Sequence, residues 1–69
     1  MFENVKAAIN ELNSNMVIKA DYTEELEALD LYENDLRVLQ TLNTPKWKIK
    51  AALAEINRIR AWIKEETAA

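Results

Sequence analysis

The stretch TPKWKIK, residues 44–50, lies between two regions of helical periodicity and decides how the chain divides into elements. Its alternation of lysine with apolar residues is typical of an edge strand, but the alternation ends at Lys50 and a 3.6-residue period follows without a turn signal. Thr44 is a favoured N-cap residue, and Pro45 fits the first helical position, where a missing N–H leaves no hydrogen bond unmade. The stretch therefore predicts the start of a helix at residues 45–66, with a buried stripe of Ile49, Leu53, Ile56, Ile59 and Ile63.

A second helix is predicted upstream, at residues 22–42. Asp21 and Glu24 have the spacing of a capping box, in which the aspartate accepts a hydrogen bond from the first turn. Asn43 is expected to take the left-handed conformation that often ends a helix, since the chain has no glycine. The main apolar face of this helix consists of Tyr22, Leu26, Leu29, Leu36 and Leu39, with Tyr32 at its margin.

The first predicted helix covers residues 2–19. Its stripe is Phe2, Val5, Ile9, Leu12 and Met16. The cluster Asn13-Ser14-Asn15 is a typical helix breaker, yet Met16 continues the stripe beyond it. Two outcomes are therefore open, a bend or fray at residues 13–15 and a helix that stops there.

Three helices joined by short connections predict an all-α fold, because sequential neighbours must then lie antiparallel. The expected architecture is an up-down-up antiparallel three-helix bundle that forms a single domain over residues 1–69. Apolar residues make up 49% of the chain and charged residues 30%, which is a globular balance, so the whole chain is expected to fold.

The composition excludes several chemistries. The 69 residues include no cysteine, no histidine and no glycine, which excludes thiolate nucleophiles, zinc ribbons and glycine-rich phosphate loops. The carboxylates lie mainly on the polar face of the second helix. No catalytic residue, cofactor, metal site or small-molecule substrate is therefore predicted. The longest apolar run has four residues and the amino terminus lacks the features of a signal peptide, so no membrane contact and a cytoplasmic location are expected.

Two helices carry apolar residues on a second face. On the second helix this face is Leu31, Val38 and Leu42; on the third it is Trp47, Ala51, Ala54, Arg58, Ala61 and Trp62. Two interpretations remain open, a widened core and a surface that binds a partner. The second leads to our first hypothesis, a non-enzymatic helical adaptor or regulator that acts by protein–protein contact, either with another protein or as a homo-oligomer.

Charge is also segregated along the chain. Residues 21–43 contain seven acids and one base, a net of −6, whereas residues 44–69 contain six bases and three acids, a net of +3. One interpretation is that the two helices complement one another as neighbours. An alternative function is nucleic-acid binding by the start of the third helix, where Trp47 would stack on a base and Lys46, Lys48, Lys50, Arg58 and Arg60 would contact phosphates. The net charge of −3 disfavours this alternative.

Overall fold

The computed structural model describes residues 1–68, and within them the chain forms three helices and no strand. The helices are α1 (Phe2–Ser14), α2 (Thr23–Thr41) and α3 (Lys46–Ala68). Each contacts the other two. The all-α three-helix bundle predicted from periodicity is confirmed.

The contacts between the ends of the helices fix their directions. Lys48, in the first turn of α3, lies over the ring of Phe2 at the start of α1, so α1 and α3 run parallel. The ring of Trp62 near the end of α3 meets that of Tyr22, just before α2, so α2 runs antiparallel to α3. The bundle is therefore up-down-up, with extents of 40 × 17 × 16 Å.

One apolar core occupies the space between the three helices. Five large side chains are fully enclosed: Ile9, Leu29, Leu36, Ile49 and Ile56. The predicted stripes supply most of the remaining buried residues, but several of their members lie at the edge, among them Val5, Leu12 and Met16 of the first stripe. Leu26 is 40% exposed and Leu53 is only partly buried, so the buried faces of α2 and α3 are narrower than predicted.

The prediction that the first helix extends to residue 19 is wrong, because α1 ends at Ser14. The N–H of Asn15 still donates to the carbonyls of Glu11 and Leu12, and the helical pattern stops there. Asparagine and serine side chains compete for backbone hydrogen bonds, which explains the early end. Met16 packs against the core all the same, from the connecting segment rather than from a helix.

Three terminal details also differ from the prediction. Asp21 does not cap α2 through a capping box, because Tyr22 occupies the N-cap position. The Oδ1 atom of Asp21 instead accepts hydrogen bonds from the N–H and the hydroxyl of Thr23, at 3.0 and 2.6 Å. Asn43 is not left-handed, since no described non-glycine residue has a positive φ. Pro45 precedes the first helical residue of α3, and its carbonyl accepts from the N–H groups of Lys48 and Ile49.

The connection between α1 and α2 is held by the buried ring of Tyr22. The phenol accepts from the N–H of Lys19 at 2.8 Å and donates to the carbonyl of Val17 at 3.2 Å. The ammonium of Lys19 pairs with Glu25 in the first turn of α2. The connection is thereby held by two hydrogen bonds to Tyr22 and by one ion pair to α2, although it contains no regular structure.

Candidate partner-binding surfaces

The outward face of α3 carries most of the residues that the sequence predicted for partner binding. Trp47 is 69% exposed, and Ala51, Ala54 and Arg58 are exposed as well. Trp47 and Ala51 line a cleft of about 280 Å³ between α1 and α3. Arg58 and Trp62 line a second cleft of about 340 Å³ between the same helices. These residues therefore lie along one side of the bundle.

The two tryptophans of this side have different environments. Trp62 is half-buried, and its ring meets the ring of Tyr22 edge-on, with centroids 5.8 Å apart and planes at 85°. An edge-to-face aromatic contact of this kind stabilises the fold itself. Trp47 has only Lys48 over its ring, at 5.7 Å, and presents most of its surface to solvent.

The second apolar stripe predicted on α2 is exposed along its whole length. Leu31, Val38 and Leu42 are 57%, 57% and 58% exposed. The bundle therefore does not use them as a widened core. We call the set Leu31, Asp35, Val38 and Leu42 the outer seam of α2, because the spacings of 4, 3 and 4 residues place them on one side of the helix, with Leu42 as its C-cap residue.

The outer seam borders a cleft between α1 and α2. Val38 and Asp35 line this cleft, of about 310 Å³, together with Met1, Asn4, Val5 and Leu39. Met1 is 76% exposed and extends the apolar surface at this end of the bundle. No lysine or arginine side chain of residues 1–68 lines the cleft, so its only ionised side chain is the carboxylate of Asp35.

The acids on the α3 side of α2 are paired within the bundle. Arg60 donates from Nη1 to Glu33 Oε1 at 2.7 Å and from Nη2 to Asp30 Oδ1 at 2.6 Å. Arg37 donates to the other oxygen of Glu33 at 2.5 Å. Hydrogen bonds from Arg60 and then from Arg37 hold the pKa of Glu33 below its ordinary value, so the carboxylate stays ionised. The predicted complementarity of the two helices is confirmed at this point.

Three acids of α2 make no ion pair within residues 1–68. They are Glu24, Glu27 and Asp35. At 100° per residue, all three lie within about 50° of the centre of the outer seam. The bundle thus neutralises the acids that face α3 and leaves unpaired those that flank the exposed apolar residues.

The residues predicted to contact nucleic acid are dispersed. Lys46 and Lys50 are exposed at the start of α3, but Lys48 is half-buried with its ammonium 5.6 Å from the Phe2 ring centroid. Arg60 is occupied by the acids of α2, and its pKa is raised by them. Lys46, Lys50 and Arg58 are the cations of this set that lie exposed and unpaired among the described residues.

Two exposed apolar residues in the connection between α1 and α2 were missed by the sequence analysis. Val17 is 57% exposed and Ile18 is 78% exposed. The early end of α1 turns these residues outward, and the asparagine-serine cluster was the one signal that could have indicated it.

Residues 1–68 contain no group of three or more acidic residues placed to hold a metal ion. None of the described helices combines the length and apolarity that a membrane span requires. Comparison of the chain with protein-family models, with curated proteins and with solved structures gave no match. The surfaces described above are therefore the basis for any functional proposal.

Proposed function

We propose that the protein acts without catalysis, by protein–protein contact, and that the outer seam of α2 receives an α-helix of another protein. The observation that carries the proposal is the exposure of Leu31, Val38 and Leu42, each more than half accessible on a single side of one helix. Single exposed apolar residues are common on monomers, but a continuous apolar stripe is typical of an interaction site.

The spacing of the seam favours a helix as the occupant. Leu31, Asp35, Val38 and Leu42 follow the alternating steps of four and three residues that place side chains along a coiled-coil seam. A helix laid along α2 over the neighbouring cleft would cover all of them at once. An extended peptide that binds by strand addition would instead need a free sheet edge, and the described residues form no sheet.

The charge of α2 favours another protein, rather than a second copy of this chain, as the molecule that binds at the outer seam. Residues 21–43 carry a net charge of −6, so two outer seams placed face to face would bring like charges together. The homo-oligomer of the first hypothesis is therefore retained only as an outcome of the experiments. A cytoplasmic location stays a prediction.

The outward face of α3 is a second candidate contact surface, on the strength of Trp47. Its ring is 69% exposed, and an exposed tryptophan next to small residues can anchor a partner. The nucleic-acid alternative uses the same ring and predicts quenching of Trp47 fluorescence by a single-stranded oligonucleotide at low salt. The engagement of Arg60 by Asp30 and Glu33 weakens that alternative.

Site-specific photo-crosslinking in cells of the source organism tests the proposed function. A benzoylphenylalanine in place of Val38 should cross-link the protein to another protein, and one in place of Asn57, an exposed residue of α3, should not. Adding Leu31→Gln and Leu42→Gln should abolish the product, because they remove the apolar contacts. Absence of a product, or a product that contains only this chain, contradicts the proposal.

A further inference from the structure

We propose that the helix received by the outer seam of α2 is a basic amphipathic helix that places a lysine or arginine opposite Asp35. This inference rests on the proposed function and names the chemistry of the partner. It is carried by two independent features of the molecule, the distribution of unpaired acids around the seam and the position of Asp35 inside it.

The first feature is the division of the acids of α2 between two sides. Asp30 and Glu33 meet Arg60 on the α3 side, and Glu25 meets Lys19 at the start of the helix. Around the seam, by contrast, the bundle supplies no partner for the carboxylates within residues 1–68. A bound helix with basic flanks would complete the pairing that the bundle leaves open, and an acidic helix would be repelled.

The second feature is the position of Asp35 between Leu31 and Val38. A helix laid along α2 over the neighbouring cleft covers the aspartate together with Leu31 and Val38, because Asp35 lines that cleft, and this removes water from its carboxylate. Removing water from an ionised group is strongly unfavourable unless the group is paired with an opposite charge. The partner therefore needs a cation at that one position, and a single charged pair inside an apolar seam also fixes the register of the two helices.

The side chains around Asp35 do not supply this cation. The cleft it lines is otherwise formed by Met1, Asn4, Val5, Val38 and Leu39, none of which has a basic side chain, and the amino-terminal ammonium of Met1 makes no ion pair with Asp35. The nearest arginine of the same helix, Arg37, donates to Glu33 instead.

The seam also fixes the length and the polarity of the partner. From the unpaired Glu24 to Leu42, the C-cap residue at the end of the seam, the rise is about 27 Å, so a partner of about 18–21 residues would cover the seam and the unpaired acids before it. The unpaired Glu24 and Glu27 lie toward the start of α2, whereas Val38 and Leu42 lie toward its end. Basic residues of the partner are therefore expected over the first half of α2 and large apolar residues over the second half.

Titration of the ¹⁵N-labelled full chain with synthetic helical peptides tests the inference. The probe has about 21 residues, apolar residues at the seam positions, one central lysine and basic flanks. A matched acidic peptide keeps the apolar positions and replaces every basic residue by glutamate. The basic peptide should shift the amides of α2 and bind at least about tenfold more tightly than the acidic one.

A second arm isolates Asp35. Asp35→Asn should weaken binding of the central-lysine peptide by about fivefold, and should not weaken a peptide with leucine at that position. Asp30→Asn is the matched control, because it removes the same charge from the same helix on the side that faces Arg60. It should leave the affinity of both peptides nearly unchanged.

The outcomes separate this inference from the proposed function. Equal or tighter binding of the acidic peptide, or absence of α2 shifts with the basic one, overturns the inference. Light scattering that shows a dimer abolished by Val38→Gln overturns it as well, since a second copy would then occupy the seam. The cross-linking experiment at Val38 decides the proposed function by itself, because a product with another protein would survive failure of the basic peptide.

Discussion

At the scale of single residues, the two tryptophans differ more than the sequence could indicate. Trp47 and Trp62 were assigned to one face of the third helix, but they are 15 positions apart and therefore about 60° apart around the helix axis. That offset leaves Trp47 on the outward face and turns Trp62 toward the end of α1, where Tyr22 meets it. Which tryptophan is buried depends on the position of Tyr22, and no pattern within α3 contains that information.

We expect the two tryptophans to contribute unequally to stability. Trp62→Ala should lower the free energy of unfolding by about 2 kcal/mol, less than for a fully buried tryptophan because the ring is half-exposed. Trp47→Ala should change it by no more than about 0.5 kcal/mol, as at other surface positions. Urea unfolding followed by circular dichroism measures both values without using tryptophan fluorescence. Equal losses in the two variants would show that Trp47 is also part of the core.

At the scale of elements, periodicity predicted which segments are helical but not where α1 ends. Met16 continues the stripe of Phe2, Val5 and Ile9, and a residue can reach the same core from a helix or from the segment that follows it. Apolar spacing cannot distinguish these two cases. The asparagine and serine residues at 13–15 have low helix propensity, which favours the earlier end.

The second stripe of α2 was similarly predictable in part. Its existence follows from the spacing of Leu31, Val38 and Leu42, but its exposure depends on where α1 packs against α2.

The sequence also could not predict which acids form ion pairs. The net charges of the two helices predicted their attraction, whereas the choice of Asp30 and Glu33 by Arg60 depends on the rotation of each helix in the bundle.

The exposure of the stripe predicts that it contributes little to folding. Leu31→Gln and Val38→Gln should each change the free energy of unfolding by no more than about 0.5 kcal/mol, since both residues are more than half exposed to water. Leu36→Ala is the control on the same helix, and it should lower stability by about 2–5 kcal/mol because Leu36 is fully buried. Chemical denaturation of the three variants compares them directly. A loss at Val38 as large as that at Leu36 would mean that the stripe belongs to the core.

At the scale of the whole molecule, the α2–α3 contact combines apolar packing with a small network of charges. Arg60 spans the two helices by binding Asp30 and Glu33, and Arg37 adds a second donor to Glu33. A chain of 69 residues has a small margin of stability, because small domains bury a smaller fraction of their surface. Contacts that link two whole helices therefore affect the folding of the entire domain.

This network predicts how stability depends on pH. The pKa of Glu33 is held below its ordinary value by Arg60 first and by Arg37 second. A carboxyl group whose pKa is lower in the folded state contributes stability above its unfolded pKa and loses that contribution as the pH falls through the folded value. We therefore expect the free energy of unfolding to fall on acidification from pH 7. Arg60→Gln should reduce the size of that fall, because the remaining Arg37 lowers the pKa of Glu33 less.

Arg58→Gln is the matched control, since it removes the same charge from an exposed position of the same helix. Arg58 makes no ion pair within residues 1–68. Urea unfolding at a series of pH values measures the three curves. If all three proteins lost the same amount of unfolding free energy over this pH range, the pairing of Glu33 with Arg60 would not be the source of the acid dependence.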